Sequence, residues 1–316
     1  MSDYSIPFYR VTSSGREIEN IAELITAGNL HSGGRYTAYC RKSLLQHYDA
    51  AEVLLTPSAT HALEMSALLL GITPGDEVII PAFTHYSTAN AFLLRGARIV
   101  CVDIDERTLN IDLEAVRAAI TPRTRAVVPV HYGGLSCEMD RLTALPEVRS
   151  GRIAVIEDAA LAFGAAYVEV PLGGIGQFGC LSFHSAKHVH SGGEGGALII
   201  RDAEVSARAR IIHEMGTDRA GFREGAISSY TWRGIGSSYL MNELSAAYLA
   251  AQLDFAGFMQ RECLRIWNHY QERLEGIEHY RGFSKSPHGT ALHRNNGHSF
   301  YIRVPRDCGP ILVQRA

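Results

Sequence analysis

Ile153-Ala154-Val155-Ile156-Glu157-Asp158 is a short apolar run, rich in β-branched residues, that ends in two acids. Runs of this kind are typical of buried strands. Similar runs precede it at 53–55, 77–80, 97–102 and 126–130, and helical patterns lie between them at 59–70, 87–95, 113–120 and 139–145. Strands that alternate with helices predict an α/β fold, with a mainly parallel sheet covered by helices on both faces.

The pattern changes after Met241. Residues 243–274 contain few helix breakers, and apolar residues recur there at helical spacing, which predicts one long helix. Beyond it, residues 299–304 resemble one strand of a smaller C-terminal domain. We therefore place an N-terminal arm and a large domain at 1–242, and the long helix with a small domain at 243–316.

Composition excludes several classes of protein. Apolar residues make up 46% of the 316 residues and charged residues 20%, as in ordinary globular chains. The formal net charge is −3 and no long basic run is present, which argues against nucleic acid or an anionic membrane as a partner. No apolar stretch approaches the roughly 20 residues of a membrane helix, and no secretory signal is visible. The cysteines are scattered without a CxxC pair, as in a cytoplasmic protein with reduced thiols: Cys40, Cys101, Cys137, Cys180, Cys263 and Cys308.

Lys187 is the residue with the most informative surroundings. It follows the short apparent strand 180–183 in a Ser-x-His-x-x-Lys turn, and the glycine-rich stretch 191–196 comes after it. Asp158 ends the strand quoted above, where ligands of such sheets bind. A lysine can form a Schiff base with pyridoxal phosphate, and an aspartate can keep its ring nitrogen protonated. Either residue alone is as well explained by a surface position, but the two together with the glycines favour this cofactor.

Residues 56–64 follow a strand and open a helix, which suits a phosphate dianion. A plain N-cap is the alternative explanation of the same residues.

Two other patterns suggest different sites. Gly174–Gly179 fits G-x-G-x-x-G, but it enters a strand instead of opening a helix, so we interpret it as a glycine-rich turn and not as a nucleotide site. His188 and His190 are two residues apart without a set of acidic ligands nearby, so we expect no metal.

From about Ile6 to Arg303 the chain resembles the sugar-nucleotide aminotransferases of the DegT/StrS type, pyridoxal-phosphate enzymes of fold type I. Besides the Lys187 region, the segments that carry the resemblance are 54–60, 74–79, 128–132 and 232–241. Within the family, the chain is most similar to enzymes that aminate C4 of dTDP-4-keto-6-deoxy-glucose, giving dTDP-4-amino-4,6-dideoxygalactose for enterobacterial common antigen. The resemblance implies a cytoplasmic homodimer with shared active sites that takes glutamate and a nucleotide-linked keto sugar for surface polysaccharide biosynthesis.

The resemblance also implies roles for individual residues. Lys187 and Asp158 are the catalytic pair, and His85 stacks on the pyridine ring. Independently of the resemblance, the position of His184 and His188 beside Lys187 predicts a contact with substrate phosphates. The cofactor phosphate is bound by Ala59, Thr60 and Ser182, and by Ser238 of the neighbouring subunit. The chain departs from the family at Leu161, where His or Gln is usual, at Ser238, where many relatives have Asn, and at His85, where Phe or Trp is common.

Two further readings remain open. Some relatives dehydrate the sugar at C3, but those have His in place of the Schiff-base lysine, so Lys187 argues against this chemistry. The other reading is a relative that binds pyridoxal phosphate but is catalytically impaired or regulatory. Family members usually continue well past the position of Arg303, so we expect the small domain to be truncated, with cofactor binding intact and sugar turnover weak.

Overall fold

The computed structural model describes residues 10–280 and 282–305; Ile6 and the segment 306–316 lie outside this range. The α-helices are α1 Arg16–Ala27, α2 Arg35–Tyr48, α3 Ala59–Leu69, α4 Tyr86–Leu93, α5 Leu113–Ala119, α6 Met139–Thr143, α7 Pro146–Arg149, α8 Ser206–His213, α9 Arg219–Arg223 and α10 Glu243–Arg273. The strands are β1 Glu52–Thr56, β2 Glu77–Pro81, β3 Arg98–Val102, β4 Thr124–Val127, β5 Ala154–Asp158, β6 Ala166–Tyr167, β7 Val170–Pro171, β8 Phe178–Ser182, β9 Gly196–Ile200, β10 Ser284–Lys285, β11 His293–Arg294 and β12 Ile302–Arg303.

Seven of these strands form the central sheet, in the order β1-β9-β8-β5-β4-β2-β3. β9 is antiparallel to both of its neighbours, and the remaining pairs are parallel. The mainly parallel α/β sheet predicted from the sequence is thereby confirmed.

Helices cover both faces of this sheet. Successive side chains of a strand point to opposite faces, so in β5 Val155 packs into a core with α2 and α5, whereas Ile156 packs into a second core with α3 and α4. All five residues of β5 are buried. Each fully buried aliphatic side chain of this kind contributes about 1.5–3 kcal/mol through the hydrophobic effect.

The strand predicted at 126–130 lies earlier in the chain, because β4 spans Thr124–Val127. Pro129 has no N–H to donate to a strand ladder. Its carbonyl nevertheless accepts from the Asp158 N–H at 2.9 Å, and the His131 N–H donates to the Asp158 carbonyl at 3.2 Å. The chain after β4 therefore still supports the end of β5. The predicted strand at 299–304 is shorter, because only Ile302–Arg303 pairs, with β10.

α10 connects the two parts of the chain. In its first half Ala246, Ala247 and Leu249 are buried in the core that α2 also lines. In its second half the Trp267 indole N–H donates to the Ser299 carbonyl at 3.1 Å. We propose that the division near residue 243 separates the two domains and that this helix serves both. In the described part of the chain, no helix has the length and apolarity needed to cross a membrane.

Candidate active site

The carboxyl ends of the parallel strands meet at one edge of the sheet. β1 leads there into α3, β2 leads into α4, and β5 ends at Asp158. The loop after β8 carries Lys187, and the paired positions of Thr56, Gly196 and Ser182 place the ends of β1, β9 and β8 side by side. The topology therefore brings the predicted site residues of four chain regions to one edge.

Asp158 is buried, with 6% of its surface exposed. One carboxylate oxygen accepts from the Thr88 hydroxyl at 2.8 Å, and the other accepts from the Ala160 N–H at 3.2 Å. The carboxylate is thus held by one donor on each oxygen. Sequence reasoning missed Thr88, although it lies within the segment that carries His85.

Lys187 lies in the loop between β8 and β9, where its backbone N–H donates to the His184 carbonyl at 2.9 Å. Burial lowers the pKa of the Lys187 amine, and the Asp158 carboxylate opposes that shift. A lowered pKa enlarges the fraction of neutral amine, which is the form that attacks a carbonyl carbon.

The N-terminus of α3 forms an anion cradle beside these groups. The Ser58 hydroxyl caps the helix by accepting from the His61 N–H at 3.3 Å. Ala59 and Thr60 occupy the first two helical positions, whose N–H groups have no partner inside a helix. A Cβ on Gly196 would lie 2.4 Å from the Ser58 carbonyl carbon and 2.5 Å from the Ala59 nitrogen, so glycine is required for this close approach.

Ser182 is buried in the strand position opposite Gly196. Its hydroxyl accepts from the His184 N–H at 3.3 Å. A helix N-terminus with a hydroxyl beside it suits a phosphate dianion. The predicted phosphate residues Ala59, Thr60 and Ser182 are therefore brought together.

His85 is the N-cap residue of α4 and is exposed. Its Nδ1 accepts from the Ser87 N–H at 3.2 Å, and its ring centre lies 3.9 Å from that of Tyr86. The ring-stacking role of His85 stays a prediction. Ser238 is exposed and forms a single antiparallel bridge with Glu214.

The two histidines that flank Lys187 lie in different surroundings. The His184 side chain is partly exposed, with its Nε2 3.6 Å from a Glu194 carboxylate oxygen. His188 lies inside, 5.7 Å from the ring of His298, and neither of its ring nitrogens has a hydrogen-bond partner among the described residues. Burial lowers the pKa of His188 to about 4 and that of His298 to about 3, and the charge of Lys187 adds to both shifts. Both imidazoles are therefore neutral at pH 7.

His190 does not share these surroundings. Its Nε2 lies 3.2 Å from the Thr12 carbonyl and its ring packs against Tyr248. Within residues 10–280 and 282–305, no group of three or more His, Cys, Asp or Glu is arranged to hold a metal ion.

Residues 173–177 of the glycine-rich stretch form a turn around the side chain of Glu157, and Phe178 and Gly179 begin β8. The Glu157 carboxylate accepts from the N–H groups of Gly173, Ile175 and Gly176 at 2.6–2.8 Å and from His131 Nε2 at 2.8 Å. Burial alone would raise the pKa of this carboxyl, but these hydrogen bonds lower it, so it stays ionised. The turn therefore binds a carboxylate of the protein itself. The sequence analysis did not identify Glu157 as that carboxylate.

The C-terminal part of the chain contacts the site at Leu161. The Asn296 amide donates to the carbonyls of Leu161 and Phe163 at 2.9 and 3.0 Å. Asn296 is fully buried. Sequence reasoning missed both Asn296 and His298, because nothing local to residues 296–298 marks them as neighbours of Lys187.

Comparisons with known proteins agree with this arrangement. Residues 12–311 match the DegT/DnrJ/EryC1/StrS aminotransferase family. The chain is 34% identical to UDP-4-amino-4-deoxy-L-arabinose–oxoglutarate aminotransferase of Shewanella sediminis, over 98% of this chain and 79% of that protein. It is 32% identical to GDP-perosamine synthase of Caulobacter vibrioides, over 82% of this chain and 67% of that protein.

Among solved structures, the fold is similar to that of a Streptococcus pneumoniae protein described as a sugar aminotransferase in its PLP form. The TM-score is 0.89, at 24% identity, over 99% of this chain and 82% of that one. This likeness confirms the fold.

The geometry of this chain fits pyridoxal phosphate even without the comparisons. The cradle formed by α3 and Gly196 suits the phosphate, Lys187 suits the aldehyde, and buried Asp158 suits the ring nitrogen. The chain belongs to the DegT/DnrJ/EryC1/StrS aminotransferase family, and it is an aminotransferase whose cofactor is pyridoxal phosphate.

Proposed function

We propose that this aminotransferase transfers an amino group from glutamate to C4 of a nucleotide-linked 4-keto-6-deoxy sugar. The observation that carries the proposal is the convergence of Lys187, Asp158 and the α3 N-terminus at one edge of the sheet. The names of the two curated relatives, which refer to UDP- and GDP-linked sugars, support a nucleotide-sugar substrate. With a dTDP substrate the product is dTDP-4-amino-4,6-dideoxygalactose, a building block for surface polysaccharide such as enterobacterial common antigen.

Each proposed role follows from the position of the residue. When bound, pyridoxal phosphate supplies an electron sink for the carbon that loses its proton. Lys187 would bind the cofactor aldehyde, and its free amine would act as the base that moves a proton between the donor Cα and C4′. Asp158 keeps the proton on the ring nitrogen, and His85 covers a face of the ring. Ala59, Thr60 and Ser182 bind the phosphate.

We assign the substrate phosphates to the histidine side of the site. His184 is the more accessible of the two flanking histidines, so it makes the proposed contact directly. His188 is neutral at pH 7 because burial lowers its pKa. Its proposed contact with a substrate phosphate is therefore a hydrogen bond from a neutral imidazole and not an ion pair.

A panel of dTDP-, UDP- and GDP-linked 4-keto-6-deoxy sugars tests the function. Each sugar is incubated with the protein, pyridoxal phosphate and glutamate, and mass spectrometry detects replacement of the carbonyl oxygen by an amine. We expect the dTDP sugar to react fastest and the Lys187→Ala variant to form no product. Cofactor absorbance that responds to glutamate, without amination of any sugar, would assign another acceptor. Absorbance that does not respond would favour the catalytically impaired relative.

We also propose a cytoplasmic homodimer in which Ser238 reaches the phosphate of the neighbouring subunit. Near Ser238 the chain exposes 76% of Trp232 and 65% of Ile235, an apolar surface suited to a second copy. Closed two-fold symmetry is the commonest arrangement of such copies.

Subunit mixing tests the shared site. Ser238→Asp places a negative charge against the proposed phosphate and should inactivate the homodimer, whereas Ser237→Asp is the matched control on the same exposed turn. After equal mixing of Lys187→Ala and Ser238→Asp subunits, we expect activity in about a quarter of the sites, because half of the dimers regain one intact site. Verified subunit exchange without recovery, or an active monomer by light scattering, would contradict the shared site.

A further inference from the structure

Two threonine hydroxyls form a chain that ends on Asp158. The Thr84 and Thr88 hydroxyl oxygens lie 2.8 Å apart, and the Thr88 hydroxyl donates to an Asp158 carboxylate oxygen at 2.8 Å. Thr88 is fully buried and Asp158 is 6% exposed. The second hydrogen bond is therefore shielded from competition by water.

The direction of both hydrogen bonds follows from the number of protons. A threonine hydroxyl has one proton, and an ionised carboxylate only accepts. Because the Thr88 hydroxyl donates its one proton in the hydrogen bond to Asp158, the Thr84 hydroxyl must donate to Thr88. A hydroxyl that accepts one hydrogen bond becomes a stronger donor in the next, so Thr84 strengthens the bond to Asp158 without contacting it.

The chain of hydroxyls joins separate parts of the site. Thr84 lies in the loop after β2, next to His85, and Thr88 lies in the first turn of α4. The Thr88 backbone N–H also donates to the His85 carbonyl at 3.1 Å. Asp158 belongs to β5, which is separated from β2 by β4. The loop that carries the proposed ring-stacking residue is thereby tied to the proposed ring-nitrogen acid.

We propose that Thr84 and Thr88 are positioning residues. They hold the Asp158 carboxylate in one orientation and stabilise its negative charge by hydrogen bonding. Together they set how strongly Asp158 holds the proton on the pyridine nitrogen. This inference rests on the proposed role of Asp158. Thr88 acts directly on the carboxylate, whereas Thr84 acts only through Thr88, so their removal should have graded effects.

The test compares Thr88→Val, Thr88→Ser and Thr84→Val with the wild-type protein loaded with pyridoxal phosphate. Valine keeps the shape of threonine but removes the hydroxyl, and serine keeps the hydroxyl. The readouts are the dissociation constant of the cofactor, the pH midpoint of its visible absorbance, and the single-turnover rate with glutamate. Circular dichroism of each variant checks the fold.

For Thr88→Val we expect about tenfold weaker cofactor binding, a shifted absorbance midpoint and about a tenfold slower single turnover, as for loss of a hydrogen bond to a charged group. Thr88→Ser should return all three values to within about threefold of wild type. Thr84→Val should change them in the same direction by about threefold.

A purely structural role predicts a different pattern. Thr88→Val would then lower the melting temperature and leave the absorbance midpoint unchanged, and that result overturns the inference. Equal impairment by Thr88→Ser and Thr88→Val overturns it as well, and so does a misfolded Thr88→Val together with a wild-type-like Thr84→Val.

The proposed function is tested separately by Asp158→Asn. If that variant behaves like wild type, the role of Asp158 fails and this inference fails with it. If Asp158→Asn is impaired and Thr88→Val is not, the inference about the threonines alone is wrong.

Discussion

Replacing Lys187 with alanine abolishes the covalent attachment of pyridoxal phosphate to the protein. The chain has three lysines, so the competing amines are few: Lys42, Lys187 and Lys285. Lys42 is exposed on α2, and the Lys285 amine is occupied by a hydrogen bond of 2.8 Å to the Gln271 carbonyl. Lys187 lies at the carboxyl edge of the sheet, where burial lowers the pKa of its amine. The expected result is loss of the visible absorbance band of the lysine-bound cofactor.

Borohydride reduction followed by peptide mass spectrometry measures this attachment directly. In the wild-type protein the reduced cofactor should be found on Lys187, and in Lys187→Ala on no residue. Lys42→Ala is the control and should behave as wild type, because its side chain is exposed and remote from the cradle. Attachment that persists in Lys187→Ala at wild-type yield would show that another lysine carries the cofactor.

Replacing Asp158 with asparagine should slow the single turnover with glutamate by about two orders of magnitude or more, as expected when a preorganised charge is removed from a buried site. Asparagine has nearly the same shape, and its amide oxygen can still accept from Thr88 or Ala160, so the fold should be retained. An amide carries no charge, so the pyridine nitrogen would lose the group that keeps it protonated. Stopped-flow absorbance after addition of glutamate measures the rate.

Asp140→Asn is the matched control for loss of a hydrogen-bonded carboxylate. Asp140 lies on α6 and accepts from the Tyr167 hydroxyl at 2.6 Å, without a proposed role in the reaction. We expect its single-turnover rate to equal that of wild type. A rate for Asp158→Asn within a few-fold of wild type would mean that another group protonates the ring nitrogen.

The local patterns of the sequence were sufficient to predict many of the helices and strands. The helix expected at 59–70 is Ala59–Leu69, and the one expected at 243–274 is Glu243–Arg273. Both have a side chain that caps the N-terminus, and α10 also has apolar residues at helical spacing; these are local properties. β4 ends earlier than expected because Pro129 has no N–H for the ladder, and an apolar run alone does not predict that ending.

The hydrogen-bond partners of the site were beyond the reach of these patterns. Thr88 contacts Asp158 because β4 lies between β5 and β2, and periodicity along the chain carries no information about that order. Periodicity likewise does not predict the hydrogen bond from His131, which follows the neighbouring strand β4, to Glu157. Asn296 reaches Leu161 only after α10 has returned the chain to the large domain.

By itself, the sequence determined the kind of chemistry, and it predicted the residues that would carry it. A lysine in a glycine-rich turn, an aspartate at a strand end and a helix opening after a strand are local features, and each has a local physical reason. The tertiary structure decided how these residues are held and tuned. Burial lowers the pKa of the Lys187 amine, and Gly196 permits the close contact with α3. The Thr88 hydroxyl donates to Asp158 and is itself hydrogen-bonded to the Thr84 hydroxyl. Those effects depend on which atoms meet across the sheet, and strand order and helix packing determine that.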